Sequence, residues 1–221
     1  MLRKWLLPPF LLTEAILYIA FLHCDLTGAA VPGTALKYAA LLLCAALSYT
    51  GLPTRDGRLV AAALTLTAAA DLFLLVLDRC YTTGVALFCL VQLLYALRLR
   101  AVIRPARPVW PRPALSITVI VLLFLTGAAS PLTILTAVYF PQLLCNALKS
   151  FYLPPAARSR IFSAGLWCFV LCDICVGLHN VSAYAVALPQ RVTEFVQIGM
   201  WFFYLPSQVL IVLSAYRRFP E

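Results

Sequence analysis

Arg58–Leu77 reads RLVAAALTLTAAADLFLLVL, twenty residues whose only charges are Arg58 at one edge and Asp71 towards the other. Wound as a helix at about 1.5 Å per residue, this run is about 30 Å long, the thickness of bilayer hydrocarbon. It is apolar on every face, as a membrane span is. Working outward, similar runs recur between clusters of Pro, Gly and charge. They are Pro8–Cys24, Thr34–Leu52, Cys80–Leu97, Ala114–Ala129, Pro131–Tyr152, Ser159–His179 and Thr193–Tyr216. The composition agrees. Of 221 residues 63% are hydrophobic and 11% charged, and the mean hydropathy is +0.95. Soluble domains are about half apolar and about a quarter charged. A soluble globule, a disordered chain and a collagen-like fibre are excluded, and so is an outer-membrane barrel, whose alternating strands have low mean hydropathy. The expected fold is all-α: a polytopic helical membrane protein with about eight transmembrane helices around a polar intramembrane cavity. Eight spans consume most of the chain, so residues 1–221 are expected to form one integral membrane domain.

Met1-Leu2-Arg3-Lys4 before an apolar run has the form of a signal sequence. No A-x-A cleavage site follows and Glu14 interrupts the run, so the first span is expected to stay as a signal-anchor. Basic residues then orient the spans. Fourteen of the seventeen Lys and Arg fall at one side of the eight-span drawing: Arg3, Lys4, Arg55, Arg58, Arg98, Arg100, Arg104, Arg107, Arg112, Lys149, Arg158, Arg160, Arg217 and Arg218. Arg79 and Arg191 fall at the other, and Lys37 within a span. Both termini are therefore expected to be cytoplasmic, in a bacterial plasma membrane. The net charge of +9 is expected to meet anionic lipid headgroups at the cytoplasmic face. Nucleic acid is not an expected partner, because the basic residues are split among short loops. Residues 98–113, with four prolines and five arginines, are expected to form a cytoplasmic loop joining halves 1–98 and 114–221. Asp71 with Gln92, and Asp173 with Gln208, occupy similar places in the two halves, in keeping with a four-plus-four parallel repeat.

Charges in hydrocarbon cost at least about 2.5 kcal/mol on insertion scales, so they face the bundle interior and usually act there. Glu14, Lys37, Asp71 and Asp173 are such residues. Polar side chains recur with them at helical spacing: Thr67, Asp71 and Asp78; Phe88, Gln92 and Tyr95; Tyr139, Gln142, Asn146 and Lys149; Gly165, Phe169, Asp173, Gly177 and Asn180; Gln197, Trp201, Tyr204 and Gln208; Glu14 and Tyr18. One polar stripe serves as interhelical glue; several point to a shared cavity. The glycines would admit a neighbouring helix. Lys37 has two readings, counter-ion to Glu14 or an aspartate, or a side chain snorkelling to the interface. Two aspartates beside one cavity can hold different protonation states, one a neutral acid and the other a carboxylate, as acid catalysis through a cationic intermediate requires.

The eight cysteines mostly fall within spans and read as small apolar residues. Cys168, Cys172, Cys175 and His179 share a helix face, but one face supplies about two ligands to one ion and no second cluster completes a site, so no metal is expected. No G-x-S-x-G, H-E-x-x-H, P-loop or G-x-G-x-x-G motif is present.

Ala70-Asp71-Leu72-Phe73-Leu74-Leu75 with Tyr81, Gly84, Phe88 and Tyr95 resembles the third and fourth spans of the YhhN family of eight-span membrane proteins, which includes lysoplasmalogenases. Gly165–Asp173 resembles its seventh span, Tyr204–Ser214 its eighth, and Lys37 a lysine that often opens its second. The sequence departs from the family at Gln92, where His is usual, at Cys172, where Ser commonly precedes the second Asp, and at Tyr38, where Pro follows the lysine. Gln cannot transfer protons. The resemblance implies hydrolysis of the vinyl ether bond of a lysoplasmalogen, a membrane lipid substrate, without a cofactor. Asp71 and Asp173 are the expected catalytic residues, roles unassigned. Gln92, Tyr204 and Gln208 would orient groups by hydrogen bonds, and Lys37 would meet the lipid phosphate. The alternative is a non-catalytic lipid-binding protein or a proton-coupled transporter of lipids or small molecules.

Overall fold

The structure, a computed structural model, describes residues 3–28, 30–103, 111–184 and 189–216. Eight α-helices account for almost all of them: α1 (Arg3–Thr27), α2 (Ala30–Ser48), α3 (Arg55–Asp71), α4 (Tyr81–Val102), α5 (Pro111–Leu125), α6 (Pro131–Ser150), α7 (Ala157–Tyr184) and α8 (Gln190–Ala215). No strand occurs among the described residues. The chain is a polytopic helical membrane protein. Six helices, α1, α3 with its continuation, α4, α6, α7 and α8, are long and apolar enough to cross a bilayer. α2 and the shorter, apolar α5 complete the eight.

Local chemistry sets the helix ends. Thr54 caps α3 by accepting the Gly57 N–H at 2.9 Å. Ser130 and Thr133 form a reciprocal capping box at α6, with Pro131 in the first turn where its missing N–H costs nothing. Gly51 and Gly57 let the α2–α3 turn fold onto the first turn of α3; a Cβ on Gly57 would lie 2.0 Å from the Gly51 carbonyl oxygen.

α8 is central. It runs along α7 and also meets α1, α2 and α3. Gly165 brings α7 close: a Cβ there would lie 3.2 Å from the Ser207 carbonyl oxygen. Gly177, expected to do likewise, has open space at its Cβ position. α4 joins α3 to α6, and α5 lies outside against α6 with no buried residue. Pro206 lacks the N–H that would bond the Phe202 carbonyl four residues back. That carbonyl instead accepts the Tyr18 hydroxyl of α1 at 3.0 Å.

Three expectations are corrected here. α4 continues to Val102 and α5 begins at Pro111; the connection expected over 98–113 is therefore shorter, and its residues 104–110 lie outside the described residues, as do Arg217 and Arg218. Arg98 is a buried helix residue, 7% exposed, because it has a partner. Its Nε and Nη2 donate to the two carboxylate oxygens of Asp56 at 2.6 and 2.8 Å, and Nη1 donates to Ser214 Oγ at 2.7 Å. The guanidinium also lies 4.2 Å from the Phe162 ring centroid. One side chain thus ties the start of α3 and the ends of α4 and α8 to α7. Asp78 leaves the polar stripe of α3: the helix gives way after Asp71 to a π-turn, Leu72–Val76, and Asp78 follows it at φ +47°, exposed and hydrogen-bonded to Tyr81.

Candidate functional site

α3 ends on Asp71, and the ladder widens immediately into the π-turn. Single π-turns inside helices are frequent at functional sites. The Asp71 carboxyl is 5% exposed, and its Oδ2 accepts the Tyr204 hydroxyl of α8 at 2.6 Å. Asp173, midway along α7, accepts a hydrogen bond from the Tyr139 hydroxyl of α6. Its Oδ2 is buried with no partner among the described residues. The two aspartates are each held by a tyrosine from a different helix, and the two tyrosines are joined through Phe88 and Phe169. A buried carboxyl is costly unless hydrogen-bonded, which is what the tyrosines provide.

Aromatic rings wall the pair. Phe169 packs edge-on between Phe88 and Tyr204, at centroid distances of 5.8 and 5.5 Å. Phe88 also lies 5.7 Å from Tyr139, and Trp201 5.0 Å from Tyr204. Five helices, α3, α4, α6, α7 and α8, contribute to this one cluster.

The other expected site residues are placed differently. Lys37 pairs with Asp25 near the end of α1, at 2.6 Å. It does not pair with Glu14, which instead accepts from the Cys44 thiol at 3.3 Å. The Lys37 ammonium lies 5.4 Å from the Trp201 ring centroid, so it reaches the carboxyl pair only through Trp201 and Tyr204. Gln92 is fully buried and turned to α6: its Oε1 accepts from Asn146 at 3.0 Å, and Asn146 accepts from Arg112 at 2.6 Å. Gln208 is fully buried one turn from Tyr204, bonded weakly to Ser207 at 3.4 Å. Gln197, at the far end of the α8 stripe, is exposed.

Tyr139 belongs to the cluster although the sequence offered it only as a stripe member. Its signal was helical spacing with Asn146, which shows a common face but not which carboxyl that face meets. Asp56 gave no signal, since a charge at a helix start reads as solvated.

Residues 33–215 match the model of the YhhN family. The chain belongs to the YhhN family. No curated protein and no solved structure matches it. The YhhN match spans every residue of the carboxyl cluster and begins within α2, so α1 lies outside it.

Proposed function

We propose that this YhhN-family protein hydrolyses the vinyl ether bond of lysoplasmalogens, releasing a fatty aldehyde and a glycerophospho-ethanolamine or -choline. The observation that supports the reading is a pair of intramembrane carboxyls, Asp71 buried and Asp173 half-buried, each held by its own tyrosine hydroxyl within one aromatic cluster. Vinyl ether hydrolysis needs an acid and a base and no covalent nucleophile. The acid protonates the β-carbon, and the α-carbon becomes an oxocarbenium ion. A carboxylate beside it stabilises that charge and takes a proton from water as the water oxygen bonds to the α-carbon. The hemiacetal then collapses to aldehyde and alcohol, and the proton balance is zero. Asp71 and Asp173 supply one acid and one carboxylate. Oδ2 of Asp173, without a partner among the described residues, would be the oxygen to meet substrate or water. Tyr204 and Tyr139 orient the pair, and the aromatic wall suits a passing cation. Gln92 holds α4 to α6 through Asn146, a role that needs no proton transfer, and the turnover of wild type tests whether this chemistry proceeds without the family's usual histidine.

The protein would sit in a bacterial plasma membrane with both termini cytoplasmic, and basic residues such as Arg100 and Lys149 would meet anionic headgroups there. The test is aldehyde release from lysoplasmenyl-ethanolamine by the purified protein in detergent, beside Asp71→Asn and Asp173→Asn. Wild type is expected to turn over, and each folded variant to lose about a hundredfold or more. A wild type inert over about pH 5 to 8, with proton-driven uptake into proteoliposomes, would replace the hydrolase with a transporter.

A further inference from the structure

A groove of about 620 Å³ runs between α2 and the π-turn that follows Asp71. Thr34, Ala35, Tyr38, Ala39 and Leu42 line one wall, and Leu75 and Val76 the other. The α2 residues recur at three- and four-residue spacing, along a single helix face. Leu42 and Val76 are 45% and 43% exposed, so the groove opens on the outside of the bundle, which in a spanning protein is hydrocarbon. Its inner limit is Tyr38. That ring lines the groove, while its hydroxyl donates to the Ala68 carbonyl at 3.3 Å, three residues before Asp71, and the phenol interacts electrostatically with the Asp71 carboxyl. The groove is thus mostly apolar, and Tyr38 in its lining is hydrogen-bonded to the backbone of the helical turn that precedes Asp71. The π-turn makes this possible. The extra residue in the turn displaces Leu75 and Val76 from where a continuous helix would put them, while Asp71 keeps its inward direction.

We propose that this groove is a lateral port that seats the hydrocarbon tail of a single-chain membrane lipid, with the head end of the tail at Tyr38 and Asp71. The proposal rests on the hydrolase reading for its substrate, and on the geometry of the groove for its occupant. A second groove between α3 and the turn that follows α2, lined by Tyr49, Leu52, Ala62, Thr65 and Leu66, gives the contrast. It lies at the Arg58 end, where Thr65 is engaged by the Tyr49 hydroxyl at 2.8 Å, and it has no tie to Asp71.

Ala39 and Ala62 are both exposed, so each accepts a large side chain without disturbing the core. Ala39→Trp is expected to lower the ratio of kcat/KM for a long-tailed lysoplasmalogen over a short, soluble vinyl ether by about tenfold or more, the scale of blocking a few methylene contacts. Ala62→Trp is expected to leave that ratio where it is in wild type. An equal effect of the two variants overturns the port. A photoreactive lysophosphatidylethanolamine with its diazirine near the tail end, in proteoliposomes, separates the port from the hydrolase reading. Labelling of peptides containing Leu42 or Val76, lost in Ala39→Trp, sustains the port even if no vinyl ether is cleaved. Labelling elsewhere, or labelling that survives Ala39→Trp, overturns it even if the protein is an active hydrolase.

Discussion

A carboxyl in hydrocarbon is only as useful as the group that holds it. Tyr204→Phe removes the hydrogen bond to Asp71 and leaves its ring against Phe169 and Trp201. Turnover is expected to fall about 10- to 100-fold, the range seen when the partner orienting a reactive group is removed, with stability lowered by about 1–3 kcal/mol because the buried Asp71 carboxyl loses its partner. Tyr139→Phe should act in the same way through Asp173. An aldehyde assay and a thermal melt on the same preparations separate orientation from folding. Arg98→Met removes charge-assisted hydrogen bonds to Asp56 and Ser214 and is expected to cost about 2–3 kcal/mol, read as a lower midpoint of unfolding in detergent. Asp56→Asn should cost less, since Asp56 is 44% exposed and water replaces part of what it gives. The contrast also shows what was legible in the residues. Asp71 and Asp173 stand out in the sequence as acids inside apolar runs, and each has a tyrosine partner in the fold. Arg98 was hidden, because a basic residue at the end of a span reads as topology, and only the fold shows Asp56 opposite it. Lys37 is half legible: its spacing leaves a counter-ion role and snorkelling equally open, and only the fold shows its partner to be Asp25 near the end of α1.

At the scale of helices, hydropathy locates each element well and locates its ends poorly. The α4 helix extends through Val102 because Arg98 is neutralised by contact rather than by water. The π-turn after Asp71 leaves no trace in Leu72–Val76, which reads as unbroken apolar helix, since a one-residue widening changes no residue type. Prolines are more informative. Pro206 frees the Phe202 carbonyl, and Tyr18 of α1 occupies it. Tyr18→Phe is therefore expected to destabilise the protein by about 0.6 kcal/mol, the usual worth of a hydrogen bond between membrane helices. In a Pro206→Ala background, where the backbone N–H can reclaim that carbonyl, the same substitution should cost close to nothing. A double-mutant cycle on unfolding in mixed detergent measures the coupling. Equal costs in the two backgrounds would break the link between the proline and the α1 contact.

The sequence carries its charge unevenly, and the proposed orientation, both termini cytoplasmic, follows from that unevenness. Cys80, exposed and at φ +55° between the π-turn and α4, sits at the end of α3 remote from Arg55 and Asp56. The other cysteines are buried or half-buried. An impermeant maleimide added to intact cells is expected to label wild type and to leave Cys80→Ser unlabelled. Labelling of Cys80 only after the cells are opened would invert the topology.

The central place of α8 has a consequence in time. Tyr204 reaches back to Asp71 across most of the chain, and α1, α2, α3 and α7 all precede the helix they share. A ribosome releasing spans one by one leaves Asp71 in the bilayer without its tyrosine until α8 is threaded into a bundle already waiting for it. The earlier helices must hold a gap open against lipid, or close and reopen, before the acid is first oriented. Formation of the Asp71–Tyr204 contact is therefore a late event in biosynthesis. A chain arrested before α8 carries Asp71 without the hydroxyl that orients it.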